Sequence, residues 1–248
     1  MATFEEQVNG LTGLGATLST STTPSDTELD QFLKDGVIDV TSKHLAIRPQ
    51  DAPLFGRETS ISDSQGVSVG GAQIISVMRE ANVDGSSDGS SAWEPCREVP
   101  LSMQSRVVNT DSLNYASKYN PVYTLNSDKT INVYPTPSSN NGFKVFYVNE
   151  EPRDITNNAA LTHAHENIKY FPNDKVYLVV IYASIKSIEA KLASYTIDDE
   201  DIELVRSLSA TLSQLQSTYN SGFLPDREYE ALLQSQMPQR TQQPQGAS

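Results

Sequence analysis

Two runs of aliphatic residues near the C-terminal end leave little freedom in how this chain folds. Leu178, Ile181, Ile185, Ile188 and Leu192 step by three and four, and Val205, Leu208, Leu212, Leu215 and Tyr219 repeat the same steps. Such spacing gathers each set on one stripe of an α-helix. Ala193 to Asp198 reads as a turn between them, and Asp198, Asp199, Glu200 and Asp201 suit the positive end of the second helix's dipole. Two antiparallel helices zipped along their stripes are the consequence. The first also carries Val176, Val179, Val180 and Ala183 off its stripe. It should therefore be central, with a further side covered by a helix over 27–43.

That covering helix has its own signature. Ser25 followed by Glu28 fits a capping box, and Leu29, Phe32, Leu33, Val37 and Val40 form one apolar stripe ending before Pro49. Gly36 weakens the helix but permits a neighbour to approach closely. Before it, Phe4, Val8, Leu11 and Leu14 predict a short amphipathic helix that dissolves into Ser19-Thr-Ser-Thr-Thr-Pro24. The middle of the chain changes period. Val67 and Val69 alternate with small polar residues, and Gln73 to Arg79 reads as a strand buried on at least one face. Pro121–Leu125, Thr130–Tyr134 and Phe143–Val148 are β-branched and aromatic runs separated by turn signals, which predict a β meander. The fold class expected is α+β: a helical bundle with a long antiparallel helical hairpin and an inserted antiparallel β domain. The boundaries expected are N-terminal helices over 1–49, the β-rich domain over 50–153, the hairpin over 154–222 and an extended tail over 223–248. In that tail, prolines and glutamines surround few large aliphatic anchors, a composition that orders only against a partner.

Composition narrows the function classes. Eighteen Lys and Arg against 31 Asp and Glu give a net charge of −13. A module that grips nucleic acid through its phosphates needs a cationic face instead. A single cysteine, Cys96, excludes an internal disulfide or a multi-cysteine metal cluster. No apolar run is long enough to span a bilayer, and Met1-Ala-Thr-Phe-Glu-Glu lacks the pattern of a signal peptide. A soluble intracellular protein is the expectation.

Each possible piece of chemistry meets a plainer reading. Gly85-Ser-Ser87-Asp-Gly89 matches the nucleophile-elbow spelling, but Ser90-Ser-Ala-Trp-Glu-Pro95 does not open the helix that motif requires. His163, His165 and Glu166 could offer metal ligands on a strand, yet no third histidine or cysteine accompanies them. His44 sits on a helix, with surroundings that suggest a surface or interface. Asp198 to Glu203 lacks the alternation and glycine of a calcium loop. Cys96 has Arg97 as a cationic neighbour but no evident histidine base, which makes it a structural thiol. Val69-Gly-Gly-Ala72 lacks the lysine of a phosphate-binding loop, and no dinucleotide fingerprint follows a strand. No catalytic residue, cofactor or metal is expected.

The order of elements carries a resemblance. A polar start and amphipathic helix are followed by Asn120-Pro-Val-Tyr, Ile131-Asn-Val-Tyr-Pro135 and Phe143-Lys-Val-Phe-Tyr-Val-Asn149, then by the helix Tyr177 to Leu192. Over residues 25–220 this resembles the head-to-tail adaptor (connector, neck) proteins of tailed bacteriophages, in arrangement more than in any diagnostic motif. The resemblance implies a non-enzymatic virion protein made in the host cytoplasm and located at the neck. In that family many copies, usually twelve, form a ring under the portal protein, contact other neck and tail proteins and extend the DNA channel. Genomic DNA would pass without specific binding, and twelve acidic chains at −13 each would repel it. The resemblance implies no membrane partner. The tail would lie along the portal through Leu224, Tyr229, Leu232, Leu233 and Met237. The Gly85–Ser91 loop and the turn over 135–142 would meet the next tail component or a neighbouring subunit. Three other classes stay open: another virion part such as a sheath or tail terminator or baseplate protein, a hydrolase built on Ser87, and a regulatory protein whose glutamine-rich tail binds a partner.

Overall fold

The computed structural model describes residues 2–14, 23–70, 72–81, 92–139, 141–148, 151–195 and 202–223. In chain order the elements are α1 (Phe4–Thr12), α2 (Asp26–Ile47), β1 (Gly56–Glu58), β2 (Val67–Ser68), β3 (Gln73–Glu80), β4 (Trp93–Pro95), β5 (Arg97–Glu98), α3 (Gln104–Val108), β6 (Val122–Leu125), β7 (Thr130–Tyr134), β8 (Phe143–Val148), α4 (Val176–Tyr195) and α5 (Ile202–Ser221). The protein is mixed α+β and divides into two compact units. One comprises residues 1–47, 162–166 and 175–248; the other comprises 48–161 and 167–174.

The first unit is helical. Thr3 and Glu6 cap α1 reciprocally, and Gly13 ends it in the left-handed conformation at φ 66°. Ser25 and Glu28 cap α2 as the sequence predicts: the Glu28 amide donates to Ser25 Oγ at 3.3 Å and the Ser25 amide to Glu28 Oε2 at 2.8 Å. Leu29, Leu33, Val37 and Val40 of α2 are buried. Helix α4 packs against α1, α2 and α5, which accounts for apolar residues on most of its faces. Its Leu178, Val179, Ala183 and Ile188 are fully buried. Ser184 and Ser187 are buried too, and their hydroxyls donate back to the carbonyls of Val180 and Ala183 at 2.8 Å. Gly36 sits at the α2–α4 contact, where a Cβ would lie 3.1 Å from Tyr182 Cδ1 and 3.3 Å from Val179 Cγ1. By contrast α5 buries one stripe, Leu208, Leu215 and Tyr219.

The second unit holds two four-stranded sheets, ordered β1-β8-β3-β4 and β2-β7-β6-β5. All pairings are antiparallel except β5–β6. Val77, Phe143 and Val145 from one sheet and Tyr123, Ile131 and Val133 from the other share a core. The expected meander is corrected here. β6 and β7 form a hairpin with Tyr123 opposite Val133, but β8 crosses to the other sheet and pairs with β3 and β1. The far edge of β7 is occupied by β2, with Val67 opposite Ile131, so β8 has no place beside it.

The join after β8 also differs from expectation. Residues 154–161 and 167–174, assigned by sequence to the C-terminal helices, belong to the β unit. Leu161, Ile168 and Phe171 are buried, and Phe171 meets Phe55 edge-on with ring centroids 5.5 Å apart.

Candidate functional site

The helical unit contains a clasp where α5 ends. Asp39 and Lys43 stand one turn apart on α2 and pair at 2.8 Å. The Tyr219 hydroxyl on α5 donates to Asp39 Oδ2, and Lys43 Nζ lies 4.7 Å above the Tyr219 ring centroid. Tyr182 of α4 closes the other side, its ring centroid 5.9 Å from that of Tyr219. Phe223 stacks edge-on to Tyr219 at 5.2 Å. Gly222 is pressed on α4: a Cβ there would meet Leu178 Cδ2 at 2.4 Å, so a larger residue must displace the Leu178 side chain. Burial raises the Tyr219 phenol's pKa, reinforced by its hydrogen bond to Asp39, so it stays protonated at neutral pH.

Beside this clasp lies a mostly apolar groove of about 460 Å³ between α1 and α4. Leu11, Tyr177, Val180 and Ile181 line it, with Glu6, Gln7 and Gly10 on the α1 side. The β unit has a smaller cleft of about 380 Å³ walled by Pro53, Ile75, Phe146 and Tyr170. Arg57 flanks it with its guanidinium 4.9 Å from the Tyr170 ring centroid and donating to the Glu151 carbonyl. Its pKa is lowered, chiefly by burial, and its buried Nε has no hydrogen-bond partner among the described residues.

The residues singled out from sequence divide cleanly. Leu224, Tyr229, Leu232, Leu233 and Met237 lie outside the described residues, as do Ser87 and Asp198 to Asp201. His163 and His165 act as a strap. The Phe4 and Glu5 amides donate to the His165 and His163 carbonyls at 2.9 and 3.0 Å, which satisfies donors that a helix start leaves open. The His163 ring and amide both meet Asp30 Oδ1, at 2.8 and 2.6 Å, and the His165 ring meets Thr162 at 3.0 Å. Among the described residues no group of three His, Cys, Asp or Glu side chains could hold a metal ion. His44, expected at a surface or interface, is buried. Cys96 packs on the core between the sheets, and burial pushes its thiol up to about 12; the cation opposing that shift is Arg79 and not Arg97. No helix among the described residues is long and apolar enough to cross a membrane.

Sequence reading missed one buried charged pair. Arg79 and Glu80 end β3 almost wholly enclosed. Arg79 donates to the Pro135 and Glu80 carbonyls at 3.0 and 2.8 Å, and Glu80 Oε2 accepts the Gly142 amide at 2.7 Å. The pair pins both ends of the 135–142 turn, and its only sequence signal is two charges closing an apolar strand.

The sequence matches no protein-family model and none of the curated proteins.

Proposed function

We propose that this protein is a head-to-tail adaptor of a tailed bacteriophage, a non-enzymatic part of the virion neck. In this reading α1, α2, α4 and α5 are a helical bundle whose long antiparallel hairpin is α4–α5, with the β domain inserted between α2 and α4. The observation that carries the reading is that α1 and α2, before the β segment, and α4 and α5, after it, share one helical unit while most of the intervening segment forms the β unit. The pairing of Tyr182 with Tyr219 and the seat of Gly222 on Leu178 support the antiparallel sense of the hairpin. The strands β6, β7 and β8 carry the segments on which the resemblance rests.

In this reading the polar, proline-bearing segment 224–248 docks on the portal through Leu224, Tyr229, Leu232, Leu233 and Met237. Ordering on binding lets a short segment cover a large surface while the free chain stays monomeric. Copies held side by side under the portal form a ring, usually of twelve in this family, that extends the DNA channel and gives the tail its platform. The acidity of each chain, −13, makes the channel repel DNA and so lets it pass.

The test is a chain that ends at Phe223. It should melt as the full chain does, because the clasp and the core are intact, and should no longer co-sediment with assembled portal. A truncated chain that co-sediments as well as the full one contradicts the reading.

A further inference from the structure

The groove between α1 and α4 has a complement elsewhere on the same chain. The segment 101–120, between β5 and β6, is built around a buried cluster of Val99, Val107, Ala116, Val122 and Tyr134. Its backbone is tied at short intervals: Ser112 N to Asn109 O at 3.0 Å, Tyr115 N to Ser112 O at 3.0 Å and Ala116 N to Val107 O at 3.0 Å. A loop so well held nevertheless leaves Leu113 fully exposed at its tip, with Tyr115 and Tyr119 exposed beside it. Large apolar side chains grouped on one hydrogen-bonded loop offer a surface for contact.

We propose that the loop carrying Leu113 inserts into the α1–α4 groove of a second copy of this chain. This rests on the ring reading above and names the contact between neighbours. Two observations select a second copy as the occupant. The groove is walled by Leu11, Tyr177, Val180 and Ile181 and has room for a leucine with an aromatic neighbour. The charges complement each other: the charged residue lining the groove is the acid Glu6, whereas 101–120 holds Arg106 and Lys118 against Asp111 alone. One loop in one groove also buries far less than the roughly 1,600 Å² of a standard stable interface. The contact is therefore too small to assemble free chains and forms when copies are concentrated. Because knob and groove are different surfaces, the interface is head-to-tail and repeats from copy to copy, as closure of a ring requires.

Disulfide trapping tests this in the full chain. In a Cys96→Ala background, Leu113→Cys and Leu11→Cys are combined and oxidised, once on assembled portal and once as concentrated protein alone, after checking that melting is unchanged. The expected result is a ladder of linked chains that needs both cysteines, with Leu113→Asp abolishing the corresponding ring density. A ladder in concentrated protein without any portal binding supports this contact and overturns the adaptor reading. Portal-bound rings without a ladder overturn this contact and leave the adaptor reading standing. A link within one chain, or no link under either condition, also overturns the contact.

Discussion

Gly36 and Gly10 make a matched pair in which one substitution should act with opposite signs. Both lie inside helices, where Gly→Ala gains about 1 kcal/mol from backbone propensity. At Gly10 nothing lies within 4 Å of an added Cβ, so Gly10→Ala should stabilise by up to about 1 kcal/mol. At Gly36 the same methyl meets Tyr182 Cδ1 at 3.1 Å, Val179 Cγ1 at 3.3 Å and the Val179 carbonyl at 3.4 Å. Val179 is fully buried and the carbonyl is held in α4, so two of the three neighbours cannot give way. Overpacking costs about 1–3 kcal/mol, which exceeds the propensity gain. Gly36→Ala should therefore destabilise by about 1 kcal/mol, leaving roughly 2 kcal/mol between the two variants. For a unit of this size the gap is on the order of 10 °C in melting. Far-UV circular dichroism at the helix band follows the helical unit, and urea midpoints at constant slope give the free energies. Equal stabilisation by both variants would refute the close approach of α2 to α4.

Three further outcomes follow from the geometry. Burial raises the Cys96 thiol from 9 to about 12, so the unfolded thiol ionises first and stability falls across that window by about 1.4 kcal/mol per pH unit. Cys96→Ala should flatten the alkaline limb of a stability–pH curve between pH 9 and pH 12; an unchanged limb would count against that burial. Tyr219→Phe removes the donor to Asp39 while leaving the Lys43–Asp39 pair in place, and should cost about 1 kcal/mol by urea denaturation. Full-chain melting unaffected by that change would mean the clasp does not hold α5. Asp30→Ala and His163→Ala each remove the ring-to-carboxylate contact, the second leaving the His163 amide on Asp30 in place, so their costs should fall short of additivity by about 1 kcal/mol in a double-mutant cycle; strict additivity would show the ring contact is not formed.

The helical unit was legible because its information is local. The stripes of α4 and α5, the Ser25–Glu28 cap and the tolerance at Gly36 are each written within a few residues. The off-stripe apolar residues of α4 even foretold that α2 would cover it. The β unit was legible only strand by strand. Nothing within Phe143–Val148 states that its partners are Gln73–Arg79 and Gly56–Glu58, since pairing is decided by which edges remain open. The same limit hid the clasp: Tyr219 was read as the end of a stripe, but Asp39, its partner, is 180 residues away. His163 and His165 drew attention as ligands because side-chain chemistry is visible in sequence, whereas the work of their backbone carbonyls at the start of α1 is not.

Electron microscopy of the full chain mixed with its cognate portal tests the central claim most directly. The account predicts an added annulus of density coaxial with the portal channel. Portal particles that stay bare at saturating protein would contradict it.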